Sequence, residues 1–196
     1  RLAFRFVGGK YVGGLIGEAY QCSMDISSVT MKYTTSTGNS NMLISASQGS
    51  VGGVAGQITD PRGDCVISNV SIYCPIGYIA NDGSYKGESV GGLVGYLKTE
   101  KGFKVTNCVV CGKVVGDKNV GGLAGYLKAG SGGLLIDGEY FELPASEEIG
   151  IGIFGNENVG GLFGHADHSK ISGCDKFITS ANVIANSHHK SVVGTM

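Results

Sequence analysis

Val90-Gly91-Gly92-Leu93-Val94-Gly95 is a six-residue phrase that this chain writes five times. The other copies are Val12-Gly13-Gly14-Leu15-Ile16-Gly17, Val51-Gly52-Gly53-Val54-Ala55-Gly56, Val120-Gly121-Gly122-Leu123-Ala124-Gly125 and Val159-Gly160-Gly161-Leu162-Phe163-Gly164. Their starts are 39, 39, 30 and 39 residues apart. Self-similarity at such a period marks a repeat architecture. The lead-ins repeat as well: Val7-Gly8-Gly9-Lys10-Tyr11, Val115-Gly116-Asp117-Lys118-Asn119 and Phe154-Gly155-Asn156-Glu157-Asn158 each place an apolar residue and a Gly before a short polar turn.

Between the motifs lies a second recurring segment. It reads Val66-Ile67-Ser68-Asn69-Val70-Ser71-Ile72-Tyr73-Cys74 in one unit and Val105-Thr106-Asn107-Cys108-Val109-Val110-Cys111 in the next. Its alternation and β-branched content predict a strand. Alignment puts Val29, Val70, Cys108, Gly138 and Cys174 in one inward column, and Met31, Ile72, Val110, Tyr140 and Lys176 in the next. No segment carries a sustained helical stripe.

A unit of this size cannot close its own apolar face, whereas stacked units cover one another. The expected fold is therefore all-β, a parallel β-solenoid of about five stacked repeats of 30–39 residues forming a single segment. Two ladders follow: Val12/Val51/Val90/Val120/Val159 and Leu15/Val54/Leu93/Leu123/Leu162. The fifth motif position is apolar too, which a regular strand would send outward, so a corner within the motif is expected. The missing residues of the 30-residue unit imply loop insertions elsewhere, at Ser36–Ser40, Pro75–Gly87, or Gly130–Gly133 with Pro144–Gly150. A partial sixth copy is expected near Val192, in Ser191-Val192-Val193-Gly194. Neither end reads as a polar cap. The segment is expected to sit inside a longer repeat protein, or to meet other copies or flanking repeats through its ends.

Gly accounts for 35 of the 196 residues without a Gly-X-Y period, which excludes collagen. The hydrophobic share of 42% suffices for a core. A net charge of −1 offers no basic face for nucleic acid. No apolar run is long enough to span a bilayer, and Arg1-Leu2-Ala3-Phe4-Arg5 does not read as a signal peptide. The six cysteines, Cys22, Cys65, Cys74, Cys108, Cys111 and Cys174, are irregularly spaced. They read first as small buried strand residues. A disulfide such as Cys65–Cys74 and a metal site are the alternatives.

The pattern V-G-G-L-x-G, carried by the five copies at Val12, Val51, Val90, Val120 and Val159, resembles the GLUG repeat over nearly the whole chain. Val54 departs from it where Leu is usual. The resemblance implies a large secreted or surface-anchored microbial protein of the adhesin type. It also fits a region outside the catalytic domain of an immunoglobulin A-cleaving metallopeptidase.

Few residues fall in patterns that carry chemistry. H-E-x-x-H and the phosphate-loop pattern are absent. His165-Ala166-Asp167-His168 has ligand-type residues, but in expected strand or loop. His188-His189 reads as a solvated turn, and Glu147-Glu148 as a solvated face. Asp25, Asp60, Asp64, Asp82, Asp117, Asp137, Asp167 and Asp175 are dispersed, although stacking could bring Asp137 toward Asp175. Arg62-Gly63-Asp64 is an integrin-type tripeptide of a length common by chance. Thr30, Thr34, Thr35 and Thr37 cluster in one unit and do not recur as an ice-binding column would. Tyr96 and Tyr126 share a repeat position and are expected to pack inward as a short ladder. With Tyr20, Tyr73, Tyr78, Tyr85 and Tyr140 they are also the residues that could stack on sugars.

No catalytic or metal-ligating residue, no cofactor and no ligand-binding residue is therefore assigned. The expected function is a non-enzymatic structural or adhesive module, extracellular or on the cell surface, with itself, host or cell-surface proteins, or glycans as partners. A filament or stalk is one form it could take. A non-catalytic region of a secreted hydrolase or peptidase and a carbohydrate-binding solenoid are the alternatives.

Overall fold

The structure is a computed structural model that describes residues 5–32, 43–143, 152–174, 177–179, 182–185 and 190–191. It is a parallel β-solenoid in which each turn of chain lays one strand in each of four sheets. The first turn comprises β1 (Arg5–Gly8), β2 (Tyr11–Gly13), β3 (Ile16–Tyr20) and β4 (Asp25–Lys32). The second comprises β5 (Leu43–Ala46), β6 (Ser50–Gly52), β7 (Ala55–Thr59) and β8 (Cys65–Tyr73). The third has β9 (Ile76–Ile79), a side strand β10 (Tyr85–Lys86), β11 (Ser89–Gly91), β12 (Val94–Thr99) and β13 (Phe103–Val110). The fourth has β14 (Val114–Val115), β15 (Lys118–Gly121), β16 (Ala124–Ala129) and β17 (Leu134–Leu143). The fifth has β18 (Gly152–Gly155), β19 (Glu157–Gly160), β20 (Phe163–Ala166), β21 (Ile171–Ser172) and β22 (Phe177–Thr179). β23 (Asn182–Ala185) and β24 (Lys190–Ser191) follow.

The five motif copies lie in register at neighbouring levels. Val12 pairs with Val51, Val51 with Val90, Val90 with Val120 and Val120 with Val159, in the second sheet. β24 extends that sheet with Lys190 opposite Val159 and Ser191 opposite Gly160, and residues 192–196 lie outside the described ones. The fifth motif position opens the third sheet, Ile16, Ala55, Val94, Ala124 and Phe163 pairing in turn. The corner expected within the motif lies between these two sheets. There a single carbonyl serves two successive amides of the turn before it: Leu93 O accepts from Val54 N at 2.8 Å and Ala55 N at 3.1 Å, and Leu123 O accepts from Leu93 N and Val94 N at 3.0 Å each. The chain thus changes direction without leaving those amides unpaired. It also explains why three motif positions face the core together. Val90, Leu93 and Val94 are all fully buried, as are Val120, Leu123 and Ala124.

The motif glycines serve close approach. A Cβ on Gly95 would lie 2.5 Å from both Val51 N and Gly56 O, so third-sheet backbone rests directly on second-sheet backbone of the preceding turn. None of the motif glycines takes a left-handed conformation; that falls on glycines outside the motif, such as Gly49 and Gly87, and on polar residues, Ser28, Asn69 and Asn107 at one recurring bend and Asn119 and Asn158 at another. Asparagine tolerates that region better than most residues. Each stacked asparagine pair adds a side-chain bond, Asn107 Nδ2 to Asn69 Oδ1 at 3.4 Å and Asn158 Nδ2 to Asn119 Oδ1 at 2.9 Å.

In the fourth sheet the inward column runs as expected through Val29 and Val70, and Met31 pairs with Ile72 beside it. Val110 pairs with Ile72 one turn on. The register then shifts between Thr106 and Cys108, with Asp137 opposite the former and Phe141 opposite the latter. Two extra residues in β17 thus displace Gly138 and Tyr140 from the expected columns. Phe177, opposite Phe141, takes the place assigned to Cys174, which is exposed. Lys176 lies outside the described residues.

The Cys65–Cys74 disulfide is ruled out by geometry. Cys65 opens the nine-residue β8 and Cys74 directly follows its last residue, about 30 Å away at the rise of a strand, against a Cα separation of about 7 Å at most for a bridge. All six cysteines are thiols. Burial pushes Cys74 and Cys108 up to about 11. The C-x-x-C pair straddles a corner, Cys108 buried and Cys111 half-buried.

One insertion lies at Pro75–Gly87. Val90 follows Ile76 by 14 positions, whereas Val120 follows Val114, the partner of Ile76, by 6. The surplus folds β10 back on β9 as the one antiparallel pair among the described strands. Gly130–Gly133 adds a single residue, since five positions separate Ala129 from Leu134 and four separate their partners Thr99 and Phe103. It is a tight corner whose Gly130 N donates to Thr99 O and Gly132 N to Glu100 O. The Ser36–Ser40 and Pro144–Gly150 candidates lie outside the described residues.

Candidate functional site

Along the third sheet, Ala19, Ile58, Leu97, Leu127 and Ala166 form a buried column. Strand alternation then sends their neighbours outward. The outward row, six residues after each motif valine, is Glu18, Gln57, Tyr96, Tyr126 and His165. Tyr96 and Tyr126 stack with centroids 4.8 Å apart and planes 6° from parallel, and Tyr126 and His165 follow at 5.1 Å and 18°. The tyrosine ladder therefore exists on the outer face, half-buried, which corrects the inward expectation. Only the parity after the motif corner decides this: Leu97 and Leu127 take the core side. Below Tyr96 the row turns polar, with Gln57 Nε2 donating to Glu18 Oε1 at 3.1 Å.

The ladder forms one wall of an axial groove of about 540 Å³. Its other wall is the lead-in to the second sheet, with Lys10, Tyr11, Ser50, Glu88, Ser89, Lys118 and Asn119. The Lys10 ammonium sits 5.0 Å from the Tyr11 ring centroid, and Lys118 lies 3.8 Å from the Glu157 carboxylate. Asn119 Nδ2 donates to Glu88 O at 3.2 Å.

Asp167 anchors the upper end of the ladder. It accepts from Tyr126 Oη at 3.1 Å and from Lys128 Nζ at 2.9 Å, and it contacts His168 Nδ1. Lys128 first, then His168, hold its carboxyl well below the usual carboxylate range. Burial first, then Asp167, raises the Tyr126 phenol. The His165–His168 stretch is thus divided, His165 stacking on Tyr126 and Asp167 committed to cation and phenol. No group of three potential metal ligands exists among the described residues.

Other carboxylates tie one turn to the next. Asp60 pairs with Lys98 at 3.1 Å and Asp137 with Lys104 at 2.6 Å, and Asp117 Oδ1 accepts from Asn156 at 2.8 Å. Asp64, the last residue of the Arg-Gly-Asp tripeptide, accepts from Gly102 N at 2.9 Å. Asp175, Glu147-Glu148, His188-His189, Thr34, Thr35 and Thr37 lie outside the described residues.

Fold and site together define an all-β parallel solenoid bearing an outer aromatic ladder beside a polar groove. Comparison with protein-family models, with curated proteins and with solved structures gives no match.

Proposed function

We propose that this chain is a non-enzymatic structural and adhesive module of an extracellular or cell-surface microbial protein, in keeping with the GLUG-like motif. The observation that carries this reading is the in-register stacking of the five motif copies, Val12 on Val51, Val51 on Val90, Val90 on Val120 and Val120 on Val159, with each level covering the next. In the first turn Leu15 is 49% exposed, while Leu93, Leu123 and Leu162 at the same motif position are fully buried. Val7 and Tyr20 of that turn are exposed as well. A solenoid level of this kind is a template for a further level. A second copy or a flanking repeat fills that place, and the module acts as a rigid stalk built by axial continuation.

Sedimentation velocity over a concentration series, with electron microscopy of the same samples, tests it. The chain should form end-to-end oligomers, and Leu15→Lys should suppress them. A strictly monomeric chain at its highest soluble concentration would remove end-to-end stacking.

A further inference from the structure

We propose that the groove beside the Tyr96–Tyr126–His165 ladder binds a neutral, unbranched oligosaccharide lying along the solenoid axis. The inference stands apart from axial stacking, since it uses the side of the solenoid and none of its end edges.

Sugar rings present apolar C–H faces and a periphery of hydroxyls, so a site for them needs flat aromatic carbon beside short polar groups. The groove has both, and each wall carries an aromatic ring and short polar groups. Tyr96 turns one ring face to Tyr126 and the other to Gln57 one strand spacing away, so it offers the groove its ring edge and hydroxyl. Tyr11 supplies a second ring across the groove. Gln57 and Asn119 provide amides that both donate and accept, which suits hydroxyl groups. Both amides are already oriented, Gln57 by Glu18 and Asn119 by Glu88 and Asn158. Preorganised groups lose little freedom on binding.

Charge narrows the class. Lys118 is offset by Glu157, Lys10 lies over the Tyr11 ring, and Glu88 stands between them along the wall. The lining therefore carries no strong field of either sign, which disfavours anionic glycans and nucleic acid. Shape gives the orientation. The groove spans several turns along the axis, so a linear chain lying in it meets the lining of one level after another. Its volume is that of a small-molecule site.

The test is titration of the chain with cellohexaose, chitohexaose and maltohexaose, with heparin hexasaccharide as the anionic comparison. Tyrosine fluorescence reads binding directly, because the chain has no Trp, and amide NMR shifts map it. At least one neutral hexasaccharide should bind, with shifts centred on Gln57, Tyr96 and Asn119. Tyr96→Ala should weaken it by about tenfold, and Tyr96→Phe should retain most of it. Tyr73→Ala, on the fourth sheet beneath Lys32, should change nothing. If Tyr96→Ala misfolds, Gln57→Ala replaces it, with the same loss expected. No binding of any neutral probe, binding of heparin alone, or binding unaffected by both groove variants would overturn the proposal. Leu15→Lys should leave hexasaccharide binding intact, so failure here is distinct from failure of end-to-end stacking.

Discussion

Gly95 and Asn107 divide two demands that glycine often meets alone. The motif glycine gives backbone proximity, and the asparagine takes the left-handed bend at φ 50°. Gly95→Ala should therefore cost about 3 kcal/mol in urea denaturation, because the intruding methyl meets strand backbone and cannot displace a flexible side chain. Gly9→Ala, where a Cβ meets nothing within 4 Å, should stay within about 0.5 kcal/mol. Asp167 makes a pH prediction at the same scale. Its carboxyl is depressed by Lys128 and then by His168. That depression stabilises the fold above the unfolded carboxyl value of about 3.9, and the gain disappears as pH falls through the carboxylate range toward the lower folded value. Thermal melts should show Tm falling through that acid range. Asp167→Asn should lower Tm near neutrality and reduce the acid-induced drop. An unchanged acid limb in the variant would mean that Asp167 does not tie the fourth turn to the fifth.

The strand ladders are where sequence and structure agree most closely, because a parallel stack makes chain period and spatial register the same quantity. Burial still varies along one ladder. Leu93 is fully buried and Leu15 is 49% exposed, at identical motif positions. Leu93→Ala should cost about 3 kcal/mol and Leu15→Ala about 1 kcal/mol or less, read by denaturant melts of the two variants. Equal losses would place a covering level over Leu15 in solution. Register was legible where the repeats are equal in length, as in Val29 beside Val70. It was not legible in β17, where two extra residues carry Phe141 opposite Cys108. An insertion inside a strand leaves the alternation of the sequence intact, so nothing local marks it. The outward course of Tyr96 and Tyr126 was hidden for a related reason: a corner resets strand parity. His165 could have been found, since it sits six residues after Val159 just as Tyr96 follows Val90 and Tyr126 follows Val120.

At the scale of the molecule, stability is shared between neighbours. Each turn is tied to the next by ladder bonds, by aliphatic columns and by pairs such as Asp60–Lys98 and Asn119–Asn158, so turns support one another in sequence along one axis. The sequence by itself determined that axis. Glycines and aliphatic residues recurring at 30 or 39 residues admit no other way to cover an apolar face that one unit cannot close. Only the tertiary structure decided what the outside carries. The facing of Tyr96, the pairing of Lys118 with Glu157 and the groove between the two sheets depend on corner angles and on contacts between turns. Such contacts join residues a full repeat apart, and a side chain's exposure is fixed by what that neighbouring turn leaves uncovered.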